Sequence, residues 1–311
     1  MTGDNELITR RTFLRGTTGF LANSVALSSY AFGVEPLLRL AVSRYRLTPA
    51  GWPAGLTLRI CALADIHAVA PAMGPERILA IAATANALEP DLTVLLGDYS
   101  RGHTIGWPVP PREWAPALGT LRAPLGIHAV LGNHDWWDDK SAQQAGHGPT
   151  LAQTALEASG IPVYHNNAVR LLKDGHPFWL AGLADQLALL RSPRLGRMML
   201  TSLADLTATL AQVDDDAPVI LLAHEPDIFP RVPSRVSLTL SGHTHGGQVR
   251  LFGYSPIVPS DFGNRFAYGH VHEDGRDLVV SGGLGCSNVP LRFGVPPELV
   301  LVELGYPETA A

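Results

Sequence analysis

The hydrophobic positions of this chain form short apolar runs, separated by polar turns and by longer segments rich in Ala, Ile and Leu. A continuous apolar run that ends in polar residues is typical of a buried strand. Such runs predict strands at residues 56–64, 91–96, 127–131, 169–172, 178–182, 219–223, 237–240, 278–281 and 299–304. The longer segments predict helices at residues 76–88, 113–121, 150–159 and 203–212.

Alternating strands and helices predict an α/β domain whose chemistry lies beyond the carboxyl ends of the strands. The strand candidates after residue 169 follow one another closely, so we expect a mixed sheet or two packed sheets rather than one parallel sheet. The chain has 311 residues, of which 46% are hydrophobic and 16% are charged. This composition is typical of a folded protein with a large core and excludes an intrinsically disordered chain.

Charge and cysteine content narrow the classes of function. The formal net charge of −5 leaves no basic surplus for a nucleic-acid backbone, so no polynucleotide partner is expected. Cys61 and Cys286 are too few for a disulfide framework and lack a metal-binding spacing. We therefore expect both to be buried as small hydrophobic residues.

The N-terminal residues resemble an export signal. Arg10 and Arg11 precede a stretch without charged residues from position 16 to position 34, as in signals that the twin-arginine translocase reads. Several Thr, Ser and Gly residues make this stretch weakly apolar for a permanent membrane span. We predict a signal at residues 1–33 and a linker with a first strand at residues 34–55. The protein is then periplasmic or in the cell envelope, and membrane-anchored if the signal is not cleaved.

Five polar clusters each end one of the strand candidates. They are Asp65-Ile66-His67, Gly97-Asp98, Gly132-Asn133-His134-Asp135, His224 and Gly242-His243-Thr244-His245. Residues two apart in extended backbone point to the same side, so the pairs at 65/67 and 243/245 are each expected to converge on one point. Carboxylate, imidazole and amide ligands together suit manganese, iron or zinc. Seven candidate ligands are too many for one tetrahedral ion and fit two divalent ions that share a bridging carboxylate.

These clusters, in this order, resemble those of the calcineurin-like metallophosphoesterase superfamily, and the similarity extends over residues 44–304. Longer strings at residues 223–227, 242–248 and 292–298 are similar to a bacterial branch of exported phosphodiesterases, related to UDP-2,3-diacylglucosamine hydrolases. The resemblance implies a four-layer αββα sandwich with two mixed sheets and a dinuclear metal site at the carboxyl ends of the strands. We place this metallophosphoesterase domain at residues 56–306.

The resemblance also implies a role for each polar residue. One metal ion would be held by Asp65, His67, Asp98 and His245. The second would be held by Asp98, Asn133, His224 and His243, so that Asp98 bridges the two ions. His134 matches the catalytic histidine that protonates the leaving group, and Asp135 matches the carboxylate that orients it. The nucleophile would be a hydroxide that bridges the two ions.

Substrate contacts are predicted at Arg101 and His103, which closely follow Asp98, and at Arg292 in the third long string. The loop at residues 97–102 lacks one residue of the protein-phosphatase string Gly-Asp-x-Val-Asp-Arg-Gly, which argues against a phosphoprotein substrate. The proline-rich segment 102–116 is expected to be irregular and to form a lid. Trp136 and Trp137 are expected either to pack in the core or to form a wall of the site.

A further basic segment suggests a membrane contact. Arg191, Arg194 and Arg197 lie among apolar residues, as in a surface that approaches an anionic membrane, although a solvated helix end has the same pattern.

We therefore expect hydrolysis of a small or lipid-linked phosphodiester or pyrophosphate outside the cytoplasm. Hydrolysis of UDP-2,3-diacylglucosamine in lipid A synthesis is an alternative, but export argues against it because nucleotide-sugar lipids are made on the cytoplasmic side. A phosphomonoesterase or nucleotidase is a second alternative, and it would usually need further cationic groups. The non-enzymatic alternative is a periplasmic metal-binding scaffold.

Overall fold

The computed structural model describes residues 21–191 and 199–306, without the side chain of Arg191. The arginines of the predicted export signal, Arg10 and Arg11, lie outside the described residues, as do Arg194 and Arg197 of the predicted membrane contact. Within the described ranges, no helix combines the length and the apolar character that crossing a membrane requires.

Two large mixed sheets contain most of the strands. The strands in chain order are β1 (Ala41–Leu47), β2 (Leu58–Leu63), β3 (Val69–Ala70), β4 (Leu92–Leu95), β5 (Trp107–Pro108), β6 (Ile127–Ala129), β7 (Asn167–Lys173), β8 (His176–Gly182), β9 (Leu189–Arg191), β10 (Met199–Thr201), β11 (Val219–Leu222), β12 (Val236–Ser241), β13 (Gly269–Glu273), β14 (Arg276–Val280) and β15 (Glu298–Leu304). The first sheet has the order β1-β15-β2-β4-β6 and the second has the order β13-β14-β12-β11-β8-β7. The pairs β3–β5 and β9–β10 form small separate sheets.

Both large sheets contain parallel and antiparallel neighbours. In the first sheet β2, β4 and β6 run parallel, while β15 is antiparallel to β2 and parallel to β1. In the second sheet β8, β11, β12 and β14 run parallel, and the outer strands β7 and β13 are antiparallel to their neighbours. The parallel strands end at common sheet edges, so the residues that follow them come close together.

Helices and short turns cover the outer faces. The helices are α1 (Glu35–Leu38), α2 (Pro75–Asn86), α3 (Pro111–Leu118), α4 (Asn133–Trp137), α5 (Lys140–Ala145), α6 (Leu151–Ala158) and α7 (Leu206–Leu210). A π-helical turn spans Tyr30–Val34, and 3₁₀ turns span Pro226–Arg231, His245–Gly247 and Gly263–Phe266.

Both faces of each large sheet are covered by core residues, which explains the continuous apolar runs in the sequence. Successive residues of a strand point to opposite faces. In β2, Ile60 and Ala62 therefore pack between the two sheets, while Cys61 and Leu63 pack under the helices of the first sheet. A strand that is buried on both faces has no polar positions and gives an uninterrupted run.

The outer layers complete the expected four-layer sandwich. Ile78 of α2, Trp114 of α3 and Leu156 of α6 belong to the cluster that covers the first sheet. The second sheet is covered by Leu206 of α7 and Phe229 of a 3₁₀ turn, among others. The αββα architecture with two mixed sheets is thus confirmed, and its fourth layer consists of one short helix and 3₁₀ turns. Both cysteines are buried and unpaired, as expected.

The segment 102–116 is more regular than its prolines indicate. Trp107 and Pro108 pair with β3, and Pro111 begins α3, where the missing amide hydrogen has no helical partner to lose. Trp114 is fully buried in the core. The expectation of an irregular segment is therefore wrong, because a proline at the first position of a helix is compatible with the helix and does not break it.

Candidate metal centre

The polar clusters predicted from the sequence lie together at one edge of the two sheets. Each lies within a few residues of the end of a strand, and almost all of their side chains are buried. The residues are Asp65 and His67 after β2, Asp98 after β4, Asn133 at the start of α4, His224 after β11, and His243 and His245 after β12.

Six of these side chains form two groups. Ligand atoms of Asp65, His67 and His245 all lie within 4.8 Å of one another, and those of Asp98, His224 and His243 do the same. These are two of the groups in the described residues that have the composition and spacing of a metal site. His243 and His245 belong to different groups, so the expectation that this pair converges on one point is wrong.

The backbone conformation explains why His243 and His245 do not point to the same side. Asp65, His67 and Asp98 have φ values of 53°, 46° and 57°, and His243 and His245 have values of 69° and 53°. These residues are in the left-handed region, which side chains other than Asn and Asp rarely adopt, and not in extended conformation. The chain turns at each ligand, so alternation along a strand does not determine where these side chains point. Such strain persists only where the surroundings enforce it, and it concentrates at functional sites.

Asp98 lies between the two groups. Its Oδ2 is 3.5 Å from Nε2 of His67 and 3.3 Å from Nε2 of His224. Its Oδ1 accepts a hydrogen bond of 2.9 Å from the backbone N–H of His134. One carboxylate thus contacts a member of each group, which is the position expected for a bridging ligand.

The imidazoles have the orientation that metal ligation requires. Nδ1 of His67 lies 2.9 Å from the carbonyl of Ser100, and Nδ1 of His224 lies 2.6 Å from the carbonyl of Leu96. Because a carbonyl only accepts, each Nδ1 donates its hydrogen to it, and each Nε2 faces the site, where its lone pair is available to a metal ion whenever the imidazole is neutral. Nε2 of His224 is buried without a hydrogen-bond partner.

Asn133 contacts the second group through His243. Its Oδ1 lies 3.0 Å from Nδ1 of His243. The amide oxygen, the carboxylates and the imidazole nitrogens form a mixed oxygen and nitrogen donor set, which fits manganese, iron or zinc better than calcium or magnesium. The orphaned Nε2 of His224 and this donor set both fit divalent metal ions held at the two groups.

Burial sets the charge of the site. It lowers the pKa of His67 to about 3 and that of His245 well below its usual value, so both imidazoles are neutral. Burial, together with the charge of Asp98, raises the pKa of Asp65 to about 7. Burial also opposes ionisation of Asp98, but the neighbouring imidazoles, His224 first, outweigh it and hold its pKa well below the usual value. Two buried carboxylates in one small volume attract cations.

Two glycines allow the loops to approach closely. A Cβ atom on Gly132 would lie 2.7 Å from the backbone N of Asp98 and closer still to its carboxylate. Gly97 has a φ of 96°, and a Cβ atom there would lie 2.5 Å from the backbone N of Gly132. The chain can place Asp98 against α4 only because neither position has a side chain.

Asp135 has a different role from the predicted one. Its carboxylate accepts hydrogen bonds from the backbone N–H groups of Asp98, Tyr99, Ser100 and Gly132, at 2.9 to 3.0 Å. It therefore holds the loop that presents Asp98, and its acceptor sites are not directed at the imidazole of His134. Adjacent residues in a helical turn point about 100° apart, which explains why the neighbour of His134 does not orient it.

His134 lines the cavity above the two groups. Its ring centroid lies 4.9 Å from that of His67 and 5.1 Å from that of Trp137. The carboxylate nearest to it along the helix face is Asp138, one turn further on. Burial raises the pKa of Asp138, and the positive charge of Arg101 opposes this increase. The sequence pattern did not indicate Asp138, although its spacing of four residues from His134 is the helical signal for it.

The cavity above the two groups has a volume of about 400 Å³, and its walls extend beyond the residues that the sequence motifs indicate. Trp137, Val249, Ile257, Pro259, Val289 and Leu291 give it apolar walls, and Gln248, Ser287 and Asn288 add polar groups. Of these residues, the sequence indicated only Trp137 and Gln248, which ends the string at residues 242–248. Trp136 is fully buried in the core, whereas Trp137 forms a wall, so the two alternatives for these tryptophans apply to one residue each.

The predicted substrate contacts lie away from this cavity. Arg292 is fully buried, and its guanidinium donates to the carbonyls of Gly285 and Val295 and lies 3.3 Å from Nδ1 of His245. It supports a ligand from behind, so the prediction that it contacts substrate is wrong. Arg101 lines a neighbouring cavity and lies 3.6 Å from Asp138. His103 is buried beside Asn288. For these two residues substrate contact stays a prediction.

Comparison with known proteins agrees with this geometry. The family model described as calcineurin-like phosphoesterase matches residues 58–247, which include all seven candidate ligands. The chain belongs to the calcineurin-like phosphoesterase family. It is therefore a phosphoric ester hydrolase of a metal-dependent type.

Three relatives show how far the similarity extends. The chain is 29% identical over 311 residues to the uncharacterized metallophosphoesterase YkuE of Bacillus subtilis, with 96% of this chain and 98% of that protein covered. It is 30% identical over 268 residues to an uncharacterized metallophosphoesterase of Aquifex aeolicus, with coverages of 85% and 92%. It is 32% identical over 254 residues to the putative metallophosphoesterase F40B5.2 of Caenorhabditis elegans. That match covers 79% of this chain and 48% of the relative.

The position of Asp98 gives a first prediction. Asp98→Ala removes the carboxylate that contacts both groups, so it should lower the metal content more than Asp65→Ala, which affects one group. Hydrolysis should fall on the order of 10²-fold or more. Elemental analysis of both purified variants measures this difference. Equal metal contents in the two variants would contradict the bridging position.

The contacts of Asp135 give a second prediction. Asp135→Ala leaves four backbone N–H groups without their acceptor, so it should lower the free energy of unfolding by about 3 kcal/mol and also reduce metal content. Denaturant unfolding and elemental analysis test both effects, with His134→Ala as the control that keeps stability and metal. If Asp135→Ala loses turnover alone, the carboxylate orients His134 and the loop-holding role is wrong.

Proposed function

We propose that this hydrolase cleaves phosphodiester or pyrophosphate bonds with two divalent metal ions. The observation that supports this most is the carboxylate of Asp98, which contacts His67 of one group and His224 of the other. One ion would be held by Asp65, His67, Asp98 and His245, and the other by Asp98, Asn133, His224 and His243. Two such ions supply a water nucleophile of lowered pKa and neutralise charge on the phosphoryl oxygens.

The residues of the chain provide the remaining steps. His134 lines the cavity next to the groups, where its imidazole protonates the departing alkoxide. Trp137 packs against His134, and its indole N–H is fixed by the carbonyl of Leu187 at 2.9 Å. This contact holds one face of the imidazole against an apolar wall and limits the access of water to it.

The cavity favours a diester over a monoester. Among the described residues that line it, none is Lys or Arg. A monoester dianion has one more negative charge than a diester and would find no cationic side chain there. A diester also has a second organic group, and the apolar walls formed by Val249, Ile257 and Leu291 can bind it.

We also propose that the protein works outside the cytoplasm, in the periplasm or cell envelope. The support is the pair Arg10 and Arg11 before an uncharged stretch, which is typical of proteins that the twin-arginine translocase carries in folded form. Hydrolysis of UDP-2,3-diacylglucosamine is less favoured, because that substrate is made on the cytoplasmic side.

The choice between ester classes is tested with bis(4-nitrophenyl) phosphate and 4-nitrophenyl phosphate. With manganese added, the diester should be hydrolysed at least about tenfold faster, since the described lining of the cavity has no Lys or Arg side chain for the extra charge of the monoester. Chelation of the metal should abolish both rates, and returning the metal should restore them. A faster rate on the monoester would make the protein a phosphomonoesterase, and metal binding without either activity would indicate a scaffold.

The role of His134 is tested by leaving-group dependence. His134→Ala should keep its metal content and lose roughly 10²–10⁴-fold in turnover on an alkyl diester, the usual contribution of a general acid. The loss should be much smaller on bis(4-nitrophenyl) phosphate, because nitrophenolate leaves without a proton. His147→Ala, an exposed histidine on a turn, serves as the control. An equal loss on both substrates would exclude proton donation by His134.

A further inference from the structure

A strained turn near the cavity presents an aromatic side chain to solvent. Leu251 and Tyr254 exchange backbone hydrogen bonds of 2.8 and 2.9 Å across a tight turn, whose two central residues are Phe252 and Gly253. Both central residues have positive φ values, 50° and 83°. Turns of this type favour Asn-Gly, because a bulky side chain is strained in the left-handed region. Phe252 is nevertheless fully exposed, so neither packing nor turn geometry explains its presence.

Phe252 belongs to a larger exposed apolar surface at the cavity mouth. We define the apolar rim as the exposed residues Leu251, Phe252, Tyr254, Ile257 and Val289. Ile257 and Val289 also line the cavity, so the rim continues the apolar walls of the site to the outside. Contiguous exposed apolar surface of this kind marks interaction sites.

The N-terminal helical segment adjoins this rim. Residues 21–29 are helical, and α1 ends the segment at Leu38. The ring of Tyr30 lies 5.9 Å from that of Phe293. The carbonyl of Phe293 accepts a hydrogen bond of 2.8 Å from the N–H of Arg250, the residue before the rim. The segment therefore contacts, through Phe293, the loop residue that immediately precedes Leu251.

The exposed residues of this segment include large apolar side chains. Leu21, Val25, Leu27 and Phe32 are all more than half exposed, and nothing among the described residues covers them. In the sequence, positions 16 to 34 carry no charge, and Arg10, Arg11 and Arg15 precede them. An exposed, uncharged helical segment fits the acyl region of a lipid bilayer, and basic residues that precede it in the sequence suit anionic headgroups.

We propose that the apolar rim and the N-terminal helical segment together form a docking surface for an anionic lipid bilayer. This inference rests on the proposed phosphodiesterase function and names its substrate class as a membrane phospholipid, whose headgroup diester enters the cavity from the bilayer surface. Ile257 and Val289, which belong to both rim and cavity, lie on the path between the two. A protein partner would also cover the rim, but a groove on a protein would bury one face of the segment, whereas residues 21–29 are exposed on nearly all sides, as suits a helix that enters the acyl region of a bilayer.

The test separates folding from docking by a substitution that suits the turn. Phe252→Asn replaces the strained aromatic residue with the one that this turn favours, so the variant should unfold at an equal or higher temperature than the wild type. Binding of the full chain to vesicles of phosphatidylglycerol and phosphatidylethanolamine should fall about tenfold, because the aromatic group no longer enters the interface. Leu172→Asn, at an exposed leucine of β7, is the matched control and should bind as the wild type does.

The outcomes distinguish this proposal from the proposed function. Hydrolysis of bis(4-nitrophenyl) phosphate should be the same in the wild type and both variants, because Phe252 does not line the cavity. Phe252→Asn should hydrolyse phosphatidylglycerol in vesicles about tenfold more slowly. Vesicle binding that is unchanged by Phe252→Asn, or equal on pure phosphatidylcholine, would overturn the docking surface. If the wild type does not hydrolyse bis(4-nitrophenyl) phosphate, the proposed function is overturned. The vesicle-binding result then still stands on its own.

Discussion

The buried carboxylate of Asp98 is the interaction on which the architecture of the site depends. It is buried between an imidazole from a loop of one sheet and an imidazole from a loop of the other sheet. An isolated charge in such a place would be very costly. The site becomes stable because ligands converge on it from both sheets, and the same convergence creates the two groups that suit divalent ions. Function and the joining of the two sheets therefore use the same contact.

Several features serve to hold that carboxylate in position. Asp135 accepts four backbone N–H groups around the loop, and Gly97 and Gly132 permit the close approach of α4. Arg292 supports His245 from the buried side. None of these groups touches a substrate. They maintain ligand residues in left-handed backbone conformations that the chain would otherwise leave.

The cavity and the rim have a different origin. Their residues come from α4 and from the loops after β4, β12 and β14, which the two sheets bring to one edge. The walls are mostly apolar, although the neighbouring groups are among the most polar of the chain. This contrast suits a substrate with one phosphoryl centre and a large organic group. It also explains why the apolar surface extends out of the cavity and onto Phe252 and Ile257.

Apolar runs in the sequence predicted most of the strands, and the family resemblance implied the αββα class, the candidate ligands and their division between two metal ions. An apolar run is a local signal that a segment is buried on both faces. The tertiary structure was needed to show where the acceptors of Asp135 point and that Arg292 lies behind His245. These outcomes depend on backbone turns with positive φ and on contacts between residues far apart in sequence, and neither is encoded in the spacing of a motif. The walls of the cavity were hidden for the same reason, because its apolar residues become a binding surface only when distant loops meet.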